Sequence, residues 1–389
     1  MELLLLCGML AAGEFCASLR PELSPVWPFL TLLAALVALF GYGLSVRGWR
    51  LLATFILGAT LYFQGTLAEE HRIRDCPWMR GRERRTERCG DETAFEIRRE
   101  LARRMSVGLD GRGETLALGR AILLGERSRL SPRLKRMFVE SGTIHVFAIS
   151  GLHVMAVANV LTLLISCTFL PRRLVGLAAI PLLWGYVQVI GFPPSAVRAA
   201  LMATFDFLAL VFWRRPDGLR SWSLTFLAVH LVRPQQIVNA GSALSFAVML
   251  AVVLTGDLTR NLPRGRRALC VTVATWAAGV PIAAHVFGRV TPGGMLANLV
   301  LLSVARLSVY AGALGLASSF VSRAVSAHLN NLSALAIQAM TMVAEAVSRI
   351  PGAHVETDRW PISWCLAWYA ALVLAVLPLV RAVRGRRTI

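Results

Sequence analysis

Long apolar blocks separated by short basic turns make up most of the sequence. Twelve blocks are candidate membrane spans: 3–19, 26–46, 50–66, 144–170, 174–191, 195–213, 220–233, 237–256, 267–288, 294–320, 331–350 and 361–381. A helix needs about 20 apolar residues to cross a hydrocarbon core about 30 Å thick. The pattern predicts an all-α, polytopic integral membrane helical bundle with about 10–12 spans. The two weakest blocks are 220–233, which is short and can be re-entrant, and 331–350, which is polar enough to lie at the interface.

One long polar segment, residues 67–140, interrupts the apolar blocks. Within it, residues 94–107 alternate apolar and charged positions at helical spacing, and residues 114–124 form an apolar stretch that ends at Gly125. Ser131-Pro132 is typical of a helix start, because proline fits the first helical position. We expect these amphipathic helices to rest on the outer leaflet, with arginine head groups reaching into water.

The composition agrees with a membrane protein. Only 16% of residues are charged and 56% are hydrophobic, against about 25% and 45–50% in soluble domains. Lys135 is the only lysine and does not lie in a Gly-Lys-Ser/Thr motif, so the chain holds no Walker A phosphate loop. Any uphill transport must therefore draw energy from another protein or from an ion gradient.

The arginines predict the orientation, because cytoplasmic loops are enriched in basic residues. Placing the N-terminus in the cytoplasm puts most turn arginines inside, and both termini are then cytoplasmic. The arginines placed inside include Arg47, Arg50, Arg172, Arg173, Arg214, Arg215, Arg260, Arg323 and Arg384. Residues 67–140 are then extracytoplasmic, on the oxidising side. A disulfide between Cys76 and Cys89 can persist there, although their spacing alone does not establish it.

Several ionisable residues fall inside predicted spans, where desolvation costs several kcal/mol and function is the default hypothesis. They are His145, His153, Arg198, Asp206, His230, His285 and Arg306. His145 and His153 share one face if their helix is continuous, but Ser150-Gly151 between them is a place where it can break to line a cavity. The alternative is close helix packing at these small residues.

The block from 195 to 213 follows Pro193-Pro194, and Ser195 is placed to cap its helix. Arg198 lies one turn further and either contributes to a site or reaches the outer interface. Asp206 serves either a pore or an interhelical hydrogen bond, and it is the candidate partner of Arg306 in the 294–320 block. Neither a catalytic carboxylate pair nor a metal-binding or nucleophile–base motif stands out, so we expect no enzyme activity, no metal and no cofactor.

The stretch Ser141–Val154, with the letters SGTIHVFAISGLHV, resembles the signature of the ComEC-type competence proteins of bacteria. Further blocks resemble this family in the same order along the chain: Ala121–Leu130, Pro194–Met202, Arg214–Asp217, Gly241–Phe246 and Pro281–Asn298. The ordered set is more specific than any single block.

The resemblance implies a channel in the bacterial inner (plasma) membrane that passes single-stranded DNA to the cytoplasm during natural transformation. His145, Ser150, Gly151, His153, Ser195 and Arg198 would line or shape the path, and a cytoplasmic helicase or ATPase and a separate nuclease would be its partners. The predicted domains are 1–66, N-terminal spans; 67–140, the extracytoplasmic segment; 141–320, the channel core; and 321–389, C-terminal spans. Against longer family members, we expect neither a full oligonucleotide-binding fold nor a metallo-β-lactamase-like domain. The alternative function is a small-solute transporter or an inactive reduced paralogue on the same scaffold.

Overall fold

The computed structural model of the protein describes residues 92–109, 111–146, 149–233, 236 and 239–385. The three N-terminal spans and the Cys76–Cys89 pair predicted from the sequence lie outside these residues. The described helices are α1 (Glu92–Arg104), α2 (Gly113–Leu124), α3 (Pro132–Glu140), α4 (Gly151–Ser166), α5 (Arg172–Val189), α6 (Pro194–Val211), α7 (Gly218–Val232), α8 (Ala240–Leu258), α9 (Arg264–Phe287), α10 (Pro292–Ser318), α11 (Arg323–Ser348) and α12 (Ile362–Gly385).

The chain is an all-α polytopic membrane protein, as the sequence predicted. Each predicted span between residues 144 and 381 corresponds to a helix. In the part that the structure describes, five segments are long and apolar enough to cross a bilayer: 144–166, which includes α4, and helices α6, α8, α9 and α10. The described strands are β1 (Arg289–Val290) and β2 (Val355–Glu356), which pair antiparallel.

The two blocks that were the weakest candidate spans in the sequence form helices α7 and α11. Neither helix meets the length and apolarity required to cross a bilayer. Helix α7 has 15 residues, which rise only about 22 Å at 1.5 Å per residue. Helix α11 is long but interrupts its apolar surface with polar side chains, among them Asn330, Asn331, Gln338 and Glu345.

The chain divides into two compact units. The described part of the first lies within residues 217–233, 236 and 239–246, where Trp222, Phe226, His230 and Phe246 pack their rings together. The imidazole Nδ1 of His230 lies 2.8 Å from the carbonyl oxygen of Phe226, one turn earlier in the same helix. His230 is therefore part of an aromatic core.

In the second unit, residues 91–216 and 247–389, helices α10 and α11 form a tight hairpin. Glycines bring the two helices together: a Cβ atom placed on Gly315 would stand 2.5 Å from Oδ1 of Asn330. Hydroxyl groups bond across the same interface, with Ser333 Oγ donating to the Ser308 carbonyl at 2.9 Å. Small and hydroxylated residues are the usual means by which helices associate in lipid.

Helix α2 is buried against this hairpin, and Ile122 and Leu124 are each only 1% exposed. Its core partners include Leu301 of α10 and Ile337 of α11. This differs from the expected helix on the outer leaflet, because apolarity alone does not tell whether a helix faces lipid or protein. The predicted stop at Gly125 is confirmed, since this residue ends α2 in the left-handed conformation, with φ 75°.

The end of α1 and the turn after it contact the α10–α11 turn and the first half of α11. Arg104 Nη1 donates to the Ser319 carbonyl at 3.3 Å, and Asn330 Nδ2 donates to the Val107 carbonyl at 3.0 Å. The sequence placed residues 67–140 outside and Arg323, beside this second turn, inside. Both predictions can hold only if α1 and α2 enter the helical bundle from the outer side and reach far enough into it for this contact to form.

Candidate functional site

Helix α4 begins with a break in the chain's helical path. A 3-10 turn, Ile144–Val146, precedes it, and α4 starts only at Gly151, with Ser150 as its N-cap residue. The backbone N–H of Ser150 donates to Nδ1 of His153 at 3.2 Å, which is the reciprocal half of a capping box. The break at Ser150-Gly151, one of the two alternatives that the sequence left open, is present, and His153, only 1% exposed, supports it through a backbone contact.

Helix α6 is tied to this break. Ser195 Oγ donates to the Ile149 carbonyl at 2.6 Å, and Ala199 packs against Gly151. The sequence predicted that Ser195 caps its own helix. Instead, the hydroxyl satisfies the carbonyl of Ile149, which lies before the first residue of α4.

Arg198 and Asp206 lie on α6, further along the helix than Ser195. Arg198 is 4% exposed, so its guanidinium is enclosed by protein, and Asp206 is half-buried. Both side chains interact with other groups in the structure. His145, Ser150, Gly151, His153 and Ser195 therefore meet at the start of α4, and Arg198 lies one helical turn away.

Arg306 is in a different environment. It is the fifteenth of 27 residues in α10, it is exposed, and it makes no hydrogen bond or ion pair with any described residue. The pairing with Asp206 considered from the sequence is not formed. Depth in the membrane suggested the pair, but depth does not specify the side of the helix on which a residue lies.

Polar residues continue along the helix face that carries Arg306. Ser303 and Tyr310 lie three residues before and four residues after it, so the three share one face. Asn159 of α4 donates to Tyr310 Oη at 2.9 Å across the α4–α10 contact, and both Asn159 and Ser303 are exposed. We call Asn159, Ser303, Arg306 and Tyr310 the polar stripe.

His145 lies near the starts of the same two helices, α4 and α10. Its imidazole lies beside the side chain of Asn298 of α10. Asn159, Asn298 and Tyr310 are not among the candidates predicted from the sequence, because those candidates were charged or imidazole side chains within spans. Amide and phenol side chains within a span likewise indicate candidate functional residues.

The described residues contain no cluster of three or more His, Cys, Asp or Glu side chains that could hold a metal ion. His285 is used structurally, since its Nδ1 lies 2.7 Å from the Trp360 carbonyl oxygen. The stripe and the break can supply hydrogen bonds and one free guanidinium, which suits a polar or anionic ligand.

Comparison with known proteins gives a consistent result. The family model described as Competence protein matches residues 122–382. The chain is 30% identical over 210 residues to "Competence protein ComA" of Neisseria gonorrhoeae, a match that covers 50% of this chain and 28% of the relative. It is 28% identical over 151 residues to "ComE operon protein 3" of Bacillus subtilis, covering 38% of this chain and 19% of the relative. The matches thus span less than a third of these relatives' lengths, and no solved structure matches the chain.

Proposed function

Because the chain belongs to the Competence protein family, whose model matches residues 122–382, we propose that it is an inner-membrane passage for single-stranded DNA during natural transformation. The sequence motifs of that resemblance fall on the break before α4 and on the start of α6. In this proposal the break leaves room beside α10, and the polar stripe continues the path inward.

Arg306 is the observation that carries the proposal. A guanidinium facing hydrocarbon at mid-span is costly, by about 2.5–3.5 kcal/mol or more. Arg306 is exposed and has no protein partner among the described residues, so its face is better accounted for by water than by lipid. A water-filled groove with one free cation suits a phosphate backbone, and uncharged polar neighbours such as Asn159 and Ser303 let the strand slide.

The residues of the path act by hydrogen bonding and charge, and the proposal assigns them no bond-making chemistry. His153 and Ser195 hold the break in shape, whereas Arg306 contacts the strand. A cytoplasmic helicase or ATPase supplies the energy, and a separate nuclease supplies single strands. Both termini are on the cytoplasmic side.

Cysteine accessibility tests the path. In a variant with the seven native cysteines replaced by alanine, Ser303→Cys and Arg306→Cys are treated with a charged thiol reagent that does not enter lipid. We expect both to be labelled in membranes, and single-stranded DNA to slow the labelling. Val252→Cys is the control, because Val252 is 43% exposed on α8, a helix that is long and apolar enough to cross a bilayer, and it should remain unlabelled.

Uptake of labelled DNA in a transformable host completes the test. Arg306→Gln should lower internalised DNA several-fold without reducing protein level, and Arg306→Lys should restore most of it. If Ser303→Cys and Arg306→Cys resist the reagent as Val252→Cys does, this face meets lipid and the proposed path is wrong. Labelling that DNA does not slow would favour a small-solute transporter on the same scaffold.

A further inference from the structure

The connection from α2 into α3 carries a dense run of positive charge. Residues 127–136 contain five basic side chains and no acidic one. They are Arg127, Arg129, Arg133, Lys135 and Arg136, all exposed and none paired with an acidic side chain among the described residues. We call residues 127–136 the basic segment.

Buried apolar side chains fix the basic segment in place. Leu130, Leu134 and Phe138 recur every fourth residue and are 5%, 6% and 1% exposed in the core shared with α10 and α11. Ser131 caps α3 by accepting a hydrogen bond from the Leu134 N–H at 3.3 Å. The buried apolar side chains therefore fix the backbone that carries these cations. Ordering the cations on a ligand then costs less conformational entropy than ordering a flexible tail would cost.

A cleft lies between α3 and the end of α11. Its volume is about 360 Å³, and Arg133, Arg136 and Arg349 are among the residues that line it. Arg349 is held by Glu345, with 2.7 Å between Nη2 and Oε1. Glu140 also lines the cleft, so the positive charge is strongest at the Arg133 and Arg136 side.

Like charges are crowded at the other end of the segment. Burial lowers the pKa of Arg120, and the nearby guanidinium of Arg129 lowers it further, although Glu126 acts in the opposite sense. An anion beside Arg129 would relieve this repulsion.

We propose that the basic segment, together with Arg349, is a docking surface for the phosphate backbone of single-stranded nucleic acid. The inference rests on the proposed function and adds a binding step that precedes passage. Arginine suits this role because its planar fork of donors matches the oxygens of a phosphate. The surface would hold a strand on the predicted outer side, near the α4 break.

A membrane surface is the other polyanion to consider, and the apolar residues argue against it. A helix that lies on lipid exposes an apolar face, as α1 does with Phe95 and Ile97, which are 60% and 44% exposed. The apolar residues of the basic segment are instead buried in protein. Only its charged side remains for a ligand, which favours one dissolved in water.

The test measures binding without transport. Purified protein in nanodiscs of zwitterionic lipid is titrated with a labelled oligothymidylate at several salt concentrations. The test variant combines Arg127→Gln, Arg129→Gln, Arg133→Gln and Arg136→Gln. The control variant removes the same charge at the α8–α9 turn, through Arg260→Gln, Arg264→Gln, Arg266→Gln and Arg267→Gln, all of them exposed.

We expect the test variant to weaken binding by about tenfold or more and to lower the salt slope by about 3, since each phosphate contact contributes about 0.7 for single strands. The control should stay within about twofold of the unchanged protein. The four lysine substitutions at the same sites should retain most of the affinity, which excludes misfolding as the cause.

Equal losses in the two variants would show unspecific attraction and would overturn the proposal. The proposal would also be overturned if the test variant bound oligothymidylate as before but was retained more weakly on vesicles of anionic phospholipid. If docking is lost as expected while Arg306→Gln leaves uptake unchanged, the docking surface stands and the proposed path fails, so the two results are separable.

Discussion

The α10–α11 hairpin and the cluster of α4, α5 and α6 both place polar side chains inside apolar helices, but for different purposes. In the hairpin, Ser333 and Ser326 donate to carbonyl oxygens of the facing helix, and these bonds join two continuous helices. In the cluster, His153 and Ser195 bond to backbone groups at the break before α4. The same residue types thus join two helices in one region and satisfy backbone groups at the start of a helix in the other.

This contrast indicates that intramembrane polar residues can be classified by the position of their hydrogen bonds before any function is known. A residue whose bonds lie between intact helices should affect stability and uptake in proportion. A residue whose bonds support a break should affect uptake more than stability, because in the proposed function the shape of the passage depends on it. Three changes test this distinction.

The largest effect is expected from Gly315→Val in the hairpin. A Cβ atom there would stand 2.5 Å from Asn330 Oδ1 and 3.3 Å from Leu329 Cβ, and overpacking of this kind costs about 1–3 kcal/mol. Thermal unfolding of the purified protein should shift downward, and uptake should fall only as far as folded protein falls. Gly185→Val is the matched control, because a Cβ on Gly185 meets no atom within 4 Å. Equal shifts in both variants would contradict the close packing described for the hairpin.

Replacing His153 separates its cap from any other role. His153→Ala removes the acceptor for the Ser150 N–H and should cost about 1 kcal/mol, whereas His153→Gln keeps an acceptor at the position where capping boxes commonly have one. We expect His153→Gln to regain stability in thermal unfolding and to regain uptake with it.

A His153→Gln protein that unfolds at the original temperature but takes up no DNA would assign the imidazole a direct role in the path. Such a result would move His153 from a residue that positions the break to one that contacts the strand.

The smallest stability effect is expected from Ser195→Ala. Loss of its 2.6 Å bond to the Ile149 carbonyl should cost about 0.5–1.5 kcal/mol, while uptake per folded molecule should fall several-fold. Ser195→Thr keeps the hydroxyl and should restore uptake. Ser166→Ala, which removes a bond within α4 itself, is the control for losing a hydroxyl, and a similar uptake defect in it would argue against a special role for Ser195.

Local signals in the sequence predicted local structure well. Gly125 ends a helix and Pro132 begins one as expected, because each acts through its own backbone conformation. The break at Ser150-Gly151 was one of the two alternatives that these residues left open.

Predictions that required knowledge of a partner were less successful. Ser195 bonds to Ile149 and not to its own helix, Arg306 does not pair with Asp206, and α2 is buried in protein. Each outcome depends on the rotation of one helix relative to another. Hydrophobic periodicity gives the buried face of a helix but does not identify the group that covers it.

The contact between Arg104 and Ser319 has a consequence for how the protein is made. These residues are 215 positions apart in the chain, and synthesis at about 5–20 residues per second separates their appearance by about 10–40 s. Throughout that interval α1 and the apolar α2 have left the ribosome without the hairpin that will cover them. The nascent protein must therefore pass through an incomplete stage in which α2 is open to proteases and to chaperones, and it ends only when α10 and α11 are inserted.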